Sequence, residues 1–146
     1  MQRPASIITF ERLYLSGFAL SLVSWVVDWP AMQAKLAANP QTKPFGWMLF
    51  VMLGLNIAIT LLLWFFTARR ASVVAKWIVV VLAGLSALRF LFNLPAALGG
   101  AMGAPSLILS VLTTALGVAA AAMLFRFDAR AWFGEDVTDE LVEDGE

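Results

Sequence analysis

The stretch Phe45-Gly-Trp-Met-Leu-Phe-Val-Met-Leu-Gly-Leu-Asn-Ile-Ala-Ile-Thr-Leu-Leu-Leu-Trp-Phe-Phe-Thr67 contains no charged side chain. As a helix rising 1.5 Å per residue it extends about 34 Å, enough to cross a hydrocarbon core of about 30 Å unaided. Its backbone polar groups would be satisfied internally, which is the condition for a segment to sit in lipid. The stretch therefore predicts a transmembrane helix, and the chain on both sides can be read against it.

Downstream, Thr67-Ala-Arg-Arg-Ala-Ser72 is a very short basic turn, followed by a second apolar run from Val73 to Leu94 that is broken by Lys76 near its start and Arg89 well inside. Pro95 to Pro105 holds Gly99-Gly100 between two prolines, a composition that opposes regular helix and marks a connector. A further apolar run begins at Ser106 and ends in aromatic and basic residues around Arg126 and Trp132. Upstream, Leu13 to Val27 lies between Arg12 and Asp28. A signal peptide could look similar, but Asp28 and Trp29 stand where a small-x-small cleavage site belongs, so an uncleaved helix is expected. The expected architecture is an all-α membrane protein, a four-transmembrane-helix bundle. Its helices fall at about 10–29, 45–67, 73–94 and 106–127, and a flexible acidic tail occupies 134–146. Asp28-Trp29-Pro30-Ala31 and Asn93-Leu94-Pro95-Ala96 echo one another at the ends of the first and third helices. Two parallel hairpins or convergent helix-stop chemistry both explain that echo.

Composition agrees with this architecture. Of 146 residues, 61% are hydrophobic and 14% charged, against about half and a quarter for a soluble domain. The net charge of zero conceals a division, because Glu135, Asp136, Asp139, Glu140, Glu143, Asp144 and Glu146 crowd the C-terminus. No compact basic face is left for nucleic acid. Cysteine and histidine are both absent, so this chain alone offers no thiol nucleophile, disulfide, or His-based metal or haem site, and no cofactor is expected. Four spans put Arg3, Arg12, Arg69, Arg70, Lys76, Arg126 and Arg130 on one side and only Lys35 and Lys43 on the other. The positive-inside rule then predicts a multi-pass protein of the bacterial inner membrane with both termini cytoplasmic.

Helices in lipid meet through small residues and hydrogen bonds. Gly17, Ser21, Ser24 and Asp28 form one narrow stripe, and Ser110, Thr114, Gly117 and Ala121 repeat its spacing on the fourth helix. These positions are expected to face other helices, with Gly17 and Gly117 as close-approach points. Gly54 and Ala58 make a second small face opposite Asn56, Thr60 and Thr67, which suggests a homo-oligomer. Trp25, Trp29, Trp47, Trp64 and Trp77 suit interface anchoring and packing. Arg89 is the charge lying plainly inside a span, with Ser86 and Asn93 on its face. About 18 Å of helix separates it from Trp77, and about 24 Å separates Asp28 from Arg12, so the two charges reach similar depth. They form a candidate intramembrane polar site and a possible ion pair. The alternative is that Arg89 snorkels outward while Asp28 and Asn93 terminate their helices.

Three function classes remain. The absence of reactive groups and the several small-residue faces favour a non-enzymatic accessory or scaffold subunit packing against itself or a larger membrane complex. A small oligomeric transporter or channel would use Asp28 and Arg89. An enzyme would have only those two, Tyr14 and scattered hydroxyls to work with. Ala68-Arg-Arg-Ala-Ser-Val-Val-Ala-Lys-Trp77 and Leu124-Phe-Arg-Phe-Asp-Ala-Arg-Ala-Trp-Phe133 resemble segments of small, uncharacterised four-helix inner-membrane proteins of bacteria. That resemblance implies the same topology and assigns no functional residue. Small multidrug transporters are similar in size and span count, but their hallmark glutamate is embedded in the first helix, whereas Glu11 is expected to lie outside the membrane core.

Overall fold

The computed structural model describes residues 3–101 and 103–135. Helices α1 (Ala5–Ala38), α2 (Met48–Ala68), α3 (Val73–Ala96), α4 (Ala104–Met123) and α5 (Phe127–Phe133) account for most of them, and no strand occurs among the described residues. The first four are long and apolar enough to cross a membrane. Expectations for the acidic segment beyond Glu135 lie outside the described residues.

The largest departure from expectation is α1, which does not stop near Trp29 but passes through Pro30 and runs to Ala38. Proline removes one backbone donor, so the carbonyl of Val26 has no partner four residues on. The residues that follow (Ala31, Met32, Gln33, Ala34, Lys35, Leu36) are strong helix formers and carry the helix past that loss. Termination comes at Asn39, which is extended as a residue before proline prefers. Thr42 then donates its hydroxyl to the carbonyl of Leu36 at 2.9 Å, and Asn39 accepts the Gln41 N–H at 3.0 Å, closing the turn towards α2.

The connection from α2 to α3 is tight. Ser72 caps α3 by accepting the N–H of Ala75 at 3.3 Å, and its own N–H reaches back to Phe66 at 3.0 Å. At the other end, Pro95 lies in the last turn of α3 and a kinked five-residue segment, Ala97–Ala101, follows. Gly100 reverses the chain there at φ +87°, a conformation that suits glycine. The fourth helix is shorter than expected, ending at Met123. The segment expected to continue it turns at Arg126 into the separate helix α5.

Among the four long helices, α1 packs most extensively on α4, α4 also packs on α3, and α2 touches both α1 and α3. Thus α1 and α3 stand diagonally and meet only marginally. The buried apolar core is concentrated at one end, where α1 and α3 begin and α2 and α4 finish. Ile7, Phe10, Leu63, Ala75, Val79 and Ala120 meet there with Leu124, Ala129 and Phe133, because α5 folds back against the ends of the long helices. Charges close this end as well. Glu11 is paired with Arg3 at 2.8 Å and Arg69 at 3.5 Å and accepts the Trp64 indole N–H at 3.2 Å. Asp128 of α5 accepts the backbone N–H of Ser6 at 3.0 Å, capping α1 from outside the helix. That hydrogen bond is the chief reason the Asp128 carboxyl is held below its ordinary range. Its contribution to folding is present above that range and is lost as pH falls through the lowered value.

Lys76 is 1% exposed, and its ammonium contacts both carboxylate oxygens of Glu135, at 2.6 and 2.8 Å, with the rings of Phe125 and Phe133 each at 5.1 Å. A lysine counted in the sequence with the basic residues of the terminal side is thus sealed under α5.

The small-residue stripes have unequal roles. A Cβ added at Gly17 would lie 3.4 Å from Leu116 Cβ of α4, whereas one added at Gly117 meets nothing within 4 Å. Gly17 is therefore a close-approach point and Gly117 is not. Ser21, Ser24, Ser110 and Thr114 are half-buried and Ala121 is buried, but Gly54 and Ala58 are exposed.

Two predictions follow from this packing. Gly17→Leu should cost about 1–3 kcal/mol by overpacking the α1–α4 contact while Gly117→Ala is tolerated, as measured by unfolding in detergent. Glu135→Gln strands the Lys76 charge and should destabilise by about 3 kcal/mol, at the low end for a buried pair because Glu135 is partly solvated. Adding Lys76→Met should recover most of that loss.

Candidate polar cleft

Opposite the closed end, the helices leave two adjoining clefts of ≈ 230 and ≈ 450 Å³. Arg89, Ser110 and Thr113 line both, so they form one vestibule around the polar face of α4. Ser86, Asn93 and Thr114 complete the smaller part, while Ser21, Ser24, Trp25, Asp28, Lys35 and Ser106 belong to the larger.

Each wall has a local cause. On α1, Ser21, Ser24 and Asp28 share a helical face, and Lys35 continues that face only because the helix passes Pro30. On α3, Ser86, Arg89 and Asn93 are a turn apart, and the Asn93 amide donates to the Arg89 carbonyl at 2.7 Å. On α4, Pro105 occupies the first turn, where its missing N–H costs nothing, and sets Ser106 beside Asp28. The Ser106 hydroxyl donates to Asp28 Oδ1 at 2.6 Å.

The sequence-predicted polar residues are thus brought to one vestibule, but not as an ion pair. No described basic group lies within 4.0 Å of Asp28, and no acidic group within 4.0 Å of Arg89. The reason is topological, since pairing requires α1 and α3 to be neighbours and they stand diagonally, each packed on α4. The carboxylate takes Ser106 instead, and the guanidinium side chain is exposed to the vestibule. Ser24 and Thr113 bond back to carbonyls of their own helices, Ser24 to Leu20 at 3.1 Å and Thr113 to Leu109 at 2.8 Å. These two hydroxyls therefore already have acceptors.

Ser106, Lys35 and Thr113 were not among the residues expected at the site. Pro105-Ser106 has the pattern of a helix start, the one sequence signal that could have drawn attention to Ser106. Of the expected polar face on α2, Asn56 is exposed, Thr60 accepts the Tyr14 hydroxyl at its carbonyl at 3.3 Å, and Thr67 is buried. None of the three lines the vestibule.

Chemically, the vestibule offers one carboxylate, one guanidinium, one ammonium and several hydroxyls, a set suited to holding charged groups in place. Ser106→Ala should remove a charge-assisted hydrogen bond worth about 1.5–3 kcal/mol. The loss should show in unfolding measurements, and Asp28→Asn in the Ser106→Ala background should add little to it.

No protein-family model matches the sequence, and no curated protein or solved structure is significantly similar to it. What the chain does is therefore argued from its geometry.

Proposed function

We propose that this is a multi-pass protein of the bacterial inner membrane with both termini cytoplasmic, acting as a non-enzymatic accessory or scaffold subunit. In this reading the lipid bilayer surrounds it and it packs against itself or a larger membrane complex. The observation that carries the reading is the outer face of α2. Val51, Leu55 and Leu62 are exposed there, and Gly54 and Ala58, one turn apart, open a shallow notch among bulky neighbours. Lipid gives apolar side chains no reason to associate, whereas a small-residue notch lets a second helix approach closely. The side holding both termini also carries most of the Lys and Arg, which supports the orientation.

Reporter fusions at Gly134 and at Gln41 should give opposite readouts, cytoplasmic for Gly134. Size measurements in mild detergent should show an assembly larger than one chain, reduced by Gly54→Leu together with Ala58→Leu. A periplasmic Gly134, or a monomer indifferent to those substitutions, would overturn the corresponding part.

A second reading is a small oligomeric transporter or channel, favoured by the polar vestibule between Asp28 and Arg89. It requires water to reach the vestibule from the side opposite the termini.

A further inference from the structure

Unpaired charges within the depth of a membrane are costly, and the usual remedies are pairing or water. Here a carboxylate and a guanidinium stand on opposite walls of one vestibule and do not neutralise each other. One oxygen of Asp28 is taken by Ser106, and the other has no hydrogen-bond donor among the described residues. Trp25, three residues before Asp28 on the same helix, also lines the vestibule, and an aromatic residue together with a carboxylate is a combination that suits an ammonium group. Across the gap, the planar fork of Arg89 suits a carboxylate or phosphate, and Lys35 adds a second positive charge to the same cleft. The ≈ 450 Å³ volume is that of a small-molecule site.

We propose that the vestibule binds a small zwitterion, its ammonium end at Asp28 and its anionic oxygens at Arg89. The proposal rests on the second reading, because the vestibule must be reachable from water or from the lipid headgroup layer. The same chemistry is carried by a free amino acid and by the headgroup of an ethanolamine phospholipid, since each joins an ammonium to an oxyanion over a few bonds. A ligand with only one of the two charges would leave Asp28 or Arg89 unanswered, so it should bind much more weakly.

The chain contains no cysteine, so Ser110→Cys in the full chain reconstituted in nanodiscs of anionic lipid provides a single labelling site in the vestibule. A water-soluble thiol reagent should label it. Glycerophosphoethanolamine or an amino-acid mixture at millimolar concentration should slow that labelling by about tenfold, a difference of about 1.4 kcal/mol. Ethanolamine alone and glycerol phosphate alone should not. Protection by the phosphodiester and not by the amino acids assigns the lipid headgroup, and the reverse assigns a free solute. Asp28→Asn and Arg89→Gln, each in the Ser110→Cys chain and checked for unchanged helicity, should abolish protection. Failure to label at all overturns the second reading and the proposal with it. Labelling that no zwitterion slows, or that either single-charge compound slows equally well, overturns the zwitterion proposal and leaves the open vestibule standing.

Discussion

An ammonium group cannot be left alone among aromatic and aliphatic side chains, and in this protein that constraint falls on Lys76. Its position near the start of α3 faces inward, so a carboxylate has to come to it. Glu135 does so from the far end of the described chain, and the segment between α4 and Glu135 has to fold back against the long helices for it to reach. That return puts Leu124, Ala129 and Phe133 against Ile7 and Phe10, and it carries Asp128 to the start of α1. One buried charge therefore draws together the ends of helices that short loops alone would leave free to splay.

The two ends of the molecule then follow different rules. At the closed end, apolar packing, the Glu11 cluster and the Lys76–Glu135 pair act on the same few turns. Further along, α1 and α4 stay together because Gly17 allows close approach, and Trp29 meets Phe50 of α2 edge-on at 5.0 Å. The diagonal between α1 and α3 has no such contact, and the vestibule occupies that gap. The described ion pairs gather at one end, and Asp28 and Arg89, which share none, lie at the other.

Much of the fold was legible because its causes are local. The uncharged run around Asn56, the Arg69-Arg70 turn and the Gly99-Gly100 connector each declare themselves in a few residues. Counting turns likewise put Asp28 and Arg89 near the same level, and both line one vestibule. What was not legible depends on neighbours. Whether Asp28 meets Arg89 or Ser106 is decided by which helices are adjacent, and no spacing within one helix encodes that. Lys76 reads as one more charge on the side of the termini until the return of α5 buries it, and Lys35 reads as a loop residue until α1 is seen to survive Pro30. Gly17 and Gly117 look equivalent in sequence, and only the approach of Leu116 separates them.

The survival of α1 through Pro30 has a mechanical meaning. A helix resists bending because each turn is tied to the next by several parallel hydrogen bonds, and the missing donor at Pro30 removes one of them. Bending stiffness is therefore lowest in the turn from Val26 to Pro30, which carries Asp28. Any bending of α1 would be concentrated at that turn, beside the vestibule wall that Asp28 and Lys35 share, and away from the closed end around Ile7 and Phe10, about five to six helical turns below.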